Sequence, residues 1–267
     1  MGELVFIGLG LYDDRGLSIR GQAEAKACDY VFIESYTSVM PGLAIERLSQ
    51  TVAKPVEILS RTDVEEDAQR KILSKARLGR VALLVGGDPM VATTHIDLRL
   101  RAQKAGIMTR IIHGASVASA AAGVTGLQSY KFGRTVTIPV PRRSELPESV
   151  YAALRINFGA GLHTLVLLEV DVENHRHVTI PQALEALLAL SARTTDRLIK
   201  PETLVVGVAR LEAPDMIVHA ATTSDLMRID FGEPPYSLIF PGKLHFVEAE
   251  ALELFCGAHK DLVGALK

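Results

Sequence analysis

Cysteine occurs only twice in the 267 residues, neither sign of charge is in excess, and no apolar run comes near a membrane span. Each shortage removes a class of protein. Cys28 and Cys256 lie far apart and give no metal-ligand spacing, so they read as two buried thiols in a reducing compartment, with a single disulfide the lesser alternative. No stretch approaches the ~18 consecutive apolar residues of a spanning helix. The opening MGELVFIGLG has no basic n-region and too short an apolar core for a signal peptide, so a cytoplasmic location is expected. With 29 Lys and Arg against 31 Asp and Glu, the net charge of -2 argues against a protein built to coat nucleic acid or an anionic membrane. The motifs G-x-x-x-x-G-K-[ST], H-E-x-x-H and G-x-S-x-G are all missing, and with them the P-loop, the zinc peptidase helix and the nucleophile elbow.

What is present is a compact composition, 48% hydrophobic and 22% charged, long enough for one large domain or two ordinary ones. In the first half, strand-like runs at Leu4–Gly8, Tyr30–Glu34, Val56–Ile58, Val81–Val85 and Thr109–His113 alternate with helical segments. Those helices are expected at Ile19–Ala27 after Ser18, at Leu43–Leu48, at Val64–Leu78 with Asp63 as N-cap, and at Thr94–Ala105. Strands so separated imply βαβ units and a mostly parallel sheet. In the second half, strands expected at Val136–Val140, Thr164–Val170, Leu204–Ala209, Met216–Ala221 and Ser237–Phe240 are closer neighbours, which implies a mixed sheet. The small-residue stretch GASVASAAAGVTG suggests a boundary, placing one α/β domain at 1–115 and an unlike one at 116–267, with a ligand cleft where they meet.

Four segments could carry chemistry. GLGLYDDRGLS (8–18) begins like a dinucleotide-binding loop, but Asp13 stands where the third glycine belongs and Asp14 follows it. Two carboxylates would repel a pyrophosphate, so either the glycines only make a tight strand exit or the ligand carries no phosphate. LVGGDPMVATTHID (84–97) runs a buried strand into Gly86-Gly87-Asp88-Pro89, where Asp88 can accept from hydroxyls or amines; an ordinary capped turn is the plainer alternative. IIHGASVASAAAG (111–123) offers a wall of small residues that suits a purine and its ribose, or simply close helix packing. In GEPPYSLIFPGKLHFVEAE (232–250), Tyr236 either stacks on an adenine or faces the core. Leu11, Leu167 and Leu211 sit at or just past strand ends and by themselves read as core. His113 and His245 are conceivable general bases, although a lone histidine beside a strand is more often packed. The His175–His177 stretch reads as a solvated loop, with metal binding the lesser alternative, and PRRS (141–144) as an exposed turn that could also dock a macromolecular substrate.

FIGLGLYDDRGLSIRG, GGDPMVATTHIDL, HGASV, GLQSYKFGRTVTIP, GLHTLVLLEVD and GEPPYSLIFPGKLH, in this order, resemble the tetrapyrrole-methylase class of S-adenosylmethionine-dependent methyltransferases. The continuation ATTHxDL, with GLQ-x-Y-x-FG and G-x-HTL, is similar to the branch that makes diphthine on elongation factor 2. The resemblance spans essentially the whole chain. It implies two unlike α/β domains with S-adenosyl-L-methionine in the cleft between them, a homodimer, and elongation factor 2 as protein substrate. It implies cofactor contacts at Leu11, Asp88, Val91, Ser116, Val117, Leu167, Leu211 and Tyr236, and no metal. Relatives often carry His at the place of Tyr236. The implied reaction methylates, and in archaeal-type enzymes trimethylates, the amino group of an amino-carboxypropyl-histidine; the sequence names no general base for it. A corrin-type or ribosomal-RNA methylase is the alternative within the class, and a nicotinamide-dependent oxidoreductase the alternative outside it.

Overall fold

In the computed structural model, which describes residues 2–140 and 146–266, the alternating pattern of the first half builds one five-stranded sheet. Its strands are β1 (Glu3–Gly8), β2 (Tyr30–Glu34), β3 (Val56–Leu59), β4 (Arg80–Val85) and β5 (Met108–Ile112). They lie in the order β3-β2-β4-β1-β5, every pair parallel. Such strands are buried on both faces, which is why they read as unbroken apolar runs. Leu4, Phe6, Phe32, Val81, Leu83 and Val85 point to one face, against Val64, Ile72 and Leu98. Val5, Ile7, Val31, Ile33, Ala82 and Leu84 point to the other, against Ala25, Leu48 and Val52. The helix Ile19–Ala27 covers the second face and the helix His95–Lys104 the first. The chain therefore leaves the adjacent strands β1 and β4 toward opposite faces, and the ends of those two strands form the topological switch point where open parallel sheets bind ligands.

The local signals work mostly as expected. Ser18 accepts the Gly21 N–H at 2.9 Å and starts the first helix, and Gly106, at φ +74°, follows the end of His95–Lys104. The segment expected as a single helix Val64–Leu78 capped by Asp63 is different. It starts earlier, at Arg61, because Ser60 is the N-cap; Asp63, at the third helical position, accepts the Ser60 N–H at 3.0 Å and closes a capping box. It is also broken into Arg61–Glu65, a π-helical stretch Gln69–Leu73, and Ser74–Leu78.

The contacts divide the chain into Met1–Val117 and Ala118–Lys267. The second unit adds β6 (Val136–Ile138), β7 (Thr164–Leu168), the short β8 (Val170–Asp171) and β9 (Arg176–His177), then β10 (Leu204–Ala209), β11 (Ile217–Thr222) and β12 (Tyr236–Phe240). Its main sheet runs β11-β10-β12-β7-β6, with only β6 and β7 parallel, so the sheet is mixed as expected. Val170, expected at the end of β7, instead pairs in a β8–β9 hairpin with His177, so the segment read as a loop is a two-stranded turn with His175 in the left-handed region at φ +51°. The helices Glu148–Gly159 and Ile180–Ala192 bury Leu154, Leu184 and Leu187 against Val166, Val205 and Leu238. Cys28 and Cys256 are free, buried thiols, and burial pushes them up to about 11 and about 12. Among the described residues no helix is long and apolar enough to cross a membrane.

The helix Phe246–Cys256 docks through one fully buried carboxylate. Glu248 accepts the backbone N–H groups of His245 at 2.8 Å and Gln128 at 2.9 Å, faces the Lys131 ammonium, and lies 2.9 Å from His163 Nε2. His163 Nδ1 accepts the Gly242 N–H at 3.0 Å, so the imidazole proton sits on Nε2 and is donated to Glu248. Burial alone would raise the Glu248 carboxyl; Lys131, the two backbone donors and His163 outweigh it and bring it to about 2. Burial lowers the His163 imidazole. In an unfolded chain these groups titrate near ~4.3 and ~6.5. Below each of those values the unfolded state binds more protons, so stability present at neutral pH is lost as pH falls through ~6.5, and further from ~4.3 toward about 2. Urea unfolding of Glu248→Gln at pH 7 is expected to show a loss of about 3 kcal/mol, from stranding Lys131 without its counter-charge. The gap from the wild type should narrow as pH falls below ~4.3; a gap constant from pH 7 to 3 would contradict this account.

Candidate cofactor site

The edge where β1, β4 and β5 end is built from bare backbone. A methyl group on Gly8 would lie 2.6 Å from both the Gly87 carbonyl oxygen and the Gly114 nitrogen, and one on Gly114 would lie 2.5 Å from the same carbonyl. Beyond this junction Gly10 and Gly87, at φ +81° and +72°, exchange backbone hydrogen bonds of 3.3 and 2.6 Å. Gly8 and Gly10 thus make a tight strand exit. The two carboxylates that follow are not equivalent. Asp13 accepts the Arg15 N–H at 2.9 Å, whereas Asp14 is buried and paired with Arg47, whose Nε lies 2.8 Å away. Burial would raise the Asp14 carboxyl, and the Arg47 hydrogen bonds hold it below the ordinary carboxylate range. The repulsion expected from this loop therefore reduces to Asp13. Leu11, at the head of the loop, is half-buried.

Asp88 follows the junction. One carboxylate oxygen accepts the Met90 N–H at 2.8 Å, and the other lies 2.7 Å from His113 Nδ1. Asp88 is therefore not the cap of the next helix, whose N-cap is Thr94. The turn is fastened from behind, because the Pro89 carbonyl accepts from Thr93 Oγ1 at 2.8 Å and from His95 Nδ1 at 3.1 Å. His95 is completely buried; its Nε2 faces Glu34 Oε1 at 4.0 Å, and Glu34 accepts the N–H groups of Tyr36 and Thr37 at 3.1 Å each. Val91 is exposed at the turn, Ser116 is buried, and Val117 opens the helix Val117–Thr125. Leu11, Asp88, Val91, Ser116 and Val117 all follow the β1, β4 and β5 exits.

The other three expected contacts gather on the second sheet. Tyr236 pairs with Ala209 and its neighbour Ser237 with Leu167, so β12 lies between the strands bearing Leu167 and leading to Leu211. Tyr236 faces the core: its hydroxyl donates to the Gly232 carbonyl, its ring lies 5.9 Å from that of His177, and burial raises the phenol. Arg210, buried beside Leu211, donates to the carbonyls of Phe231, Glu233 and Asp215 and to the Asp215 carboxylate at 2.7 Å. His245 is an N-cap, with Nδ1 3.4 Å from the Val247 nitrogen. PRRS (141–144) lies outside the described residues. Arg47, Arg210 and the Thr93–His95 latch were not singled out from sequence as site-forming; ATTHxDL covered the latch without showing what it holds.

Residues 3–225 match the family of tetrapyrrole (corrin/porphyrin) methylases. Diphthine synthase of Methanocella arvoryzae is 42% identical over 254 residues, 95% of this chain and 98% of that protein. Diphthine synthase of Methanosphaerula palustris is 44% identical over the same length and coverage. This chain belongs to the tetrapyrrole methylases, in the branch of the diphthine synthases. A crystal structure of a diphthine synthase matches it with a TM-score of 0.88 at 35% identity, over 99% of this chain and 100% of that one. The chain is therefore a methyltransferase.

For this diphthine synthase relative the glycine junction gives a sharp expectation. Gly114→Ala must push backbone against backbone and should lower stability by ~1–3 kcal/mol. Gly123→Ala, in the helix Val117–Thr125 with nothing within 4 Å of the added carbon, should gain ~0.5–1 kcal/mol. Thermal unfolding of the pair checks the contrast, and equal melting temperatures would refute it.

Proposed function

We propose that this chain transfers methyl groups from S-adenosyl-L-methionine to the amino nitrogen of an amino-carboxypropyl-histidine in elongation factor 2, giving diphthine in diphthamide biosynthesis, and that it works as a cytoplasmic homodimer. The observation that carries the reading is the β4 exit: an acid set at a parallel-sheet switch point, in a sequence 42% identical to a diphthine synthase. The residues fit such a cofactor. A methyl group on Gly87 would meet nothing nearer than the Ala115 carbonyl at 3.9 Å, so the backbone there is open to close approach. Asp88 has lone pairs left to accept from hydroxyl or ammonium groups. The residues proposed to hold the cofactor are Leu11, Asp88, Val91, Ser116, Val117, Leu167, Leu211 and Tyr236; for Tyr236, whose ring is in the core, the contact would come from the backbone.

When bound, the cofactor supplies a methyl group on a positively charged sulfur, an electrophile that needs no further activation. What the chain must do is hold the acceptor nitrogen in line and keep water out, and such orientation removes roughly 7–11 kcal/mol of barrier. An α-amino group titrates near ~8, so part of it is free base at neutral pH. No covalent enzyme intermediate is required, in keeping with the absence of a nucleophile motif.

Calorimetric titration with S-adenosylhomocysteine is expected to show one site per chain, weakened about 10- to 100-fold in Asp88→Ala by loss of a charged hydrogen-bond acceptor. Mass spectrometry of the modified factor should then register up to three added methyl groups. Absence of binding by the wild type would overturn the cofactor assignment, and an unmodified factor the substrate assignment. Light scattering at working concentration should give the mass of a dimer; a monomer would remove that part of the reading.

A further inference from the structure

His113 is the first residue beyond β5 and Asp88 the third beyond β4, and the glycine junction beneath them brings their side chains to 2.7 Å. The Asp88 side chain is 7% exposed and that of His113 70%. With one Asp88 oxygen held by the Met90 N–H, the carboxylate cannot turn away from the imidazole. An ionised carboxylate only accepts, so His113 Nδ1 carries the proton and Nε2 keeps a lone pair. A fixed carboxylate that sets the tautomer and aim of an imidazole, whose other nitrogen is open, is the arrangement of a general base. Four other histidines lack it: His95 and His163 are completely buried, and His245 and His259 turn Nδ1 to the backbone at helix N-termini.

We propose that His113, oriented by Asp88, is the catalytic base that removes a proton from the substrate's ammonium before each methyl transfer. This rests on the reading given under Proposed function. At pH 7 an amine titrating near ~8 is about nine-tenths protonated and has no lone pair to attack with. In each round an N–H bond of the ammonium breaks, its electron pair stays on nitrogen, and the proton bonds to Nε2. That pair then forms the N–CH3 bond while the S–CH3 bond of the donor breaks, its pair remaining on sulfur as the thioether. His113 passes its proton to water before the next round. Three methyl transfers release three protons, and the quaternary product has no N–H left.

The test compares wild type with His113→Gln, which keeps a polar side chain without basicity at an exposed position. S-adenosylhomocysteine binding and melting temperature should be unchanged. The kcat on elongation factor 2 at pH 7 should fall about 10-fold, toward the rate that the one-tenth of free amine supports. The rate of the variant should climb with pH through the amine's own ionisation near ~8, so that the gap narrows in alkali. Nitrogen-15 NMR of the wild-type imidazole should place the proton on Nδ1 and leave Nε2 without one. Unchanged kcat and pH profile with cofactor binding intact would overturn the proposal. So would lost S-adenosylhomocysteine binding, which would make His113 a cofactor contact, or a proton found on Nε2. Wild type that binds the cofactor but leaves the factor unmethylated would overturn the substrate reading and this inference with it.

Discussion

Gly8, Gly87 and Gly114 bring three backbones into contact where β1, β4 and β5 end, and the chemistry of the first unit is laid out from that contact. Asp88 is the neighbour of one of these glycines and His113 of another, so the distance between the two side chains is set by how closely the two exits approach. A side chain at Gly8 or Gly114 would meet backbone atoms at 2.5–2.6 Å and force the strand exits apart. The Pro89 carbonyl, gripped by Thr93 and His95, removes the remaining freedom of the turn. The acid is thus placed by backbone geometry, and the imidazole by the acid.

The second unit uses buried charge where the first uses bare backbone. Glu248 collects donors, two backbone N–H groups among them, and Arg210 collects acceptors, three of them backbone carbonyls. A charge in a low-dielectric interior is tolerated only when its hydrogen-bonding capacity is filled, and a filled one fixes its partners in a single arrangement. Glu248 fastens a helix to the segment 128–131 and to His163, just before β7, while Arg210 fastens the loop 231–235 next to Leu211 and Tyr236. Both act on the position of main chain.

How much of this was legible follows from sequence separation. Strands and caps are local, so Ser18, Gly106 and the apolar runs announced their elements to within a few residues. The parallel first sheet and the mixed second one followed from the spacing of those runs. The segment after Ser60 was misread because Ser60 and Asp63 share a capping box and either could have been the cap. The β8–β9 hairpin was missed because two-residue strands have no period to detect. At the site, Asp88 stood out through the glycines before it, and the glycines at 8 and 10 were recognised as a strand exit or a phosphate-free site. His113 was named as a conceivable base but weighed as a packed histidine, for its partner is 25 residues away and nothing local reveals the pairing. Asp14 was read as a second carboxylate repelling a pyrophosphate, because Arg47, which pairs with it, lies 33 residues on.

The buried carboxylate of the second unit also orders events in time. Every strand of the first sheet has been synthesised once Ile112 has emerged, and that sheet needs nothing later. The second unit cannot close in the same way, because Glu248 bonds to partners 120, 117 and 85 residues before it. Until that residue leaves the ribosome, at some ~5–20 residues per second, the pocket holding His163 and Lys131 has a donor set with no acceptor to receive it. Contacts so distant in sequence must also meet the entropy of closing long loops before they contribute anything. The first sheet thus has all its strands well before the second unit has the residue that completes the pocket of His163 and Lys131.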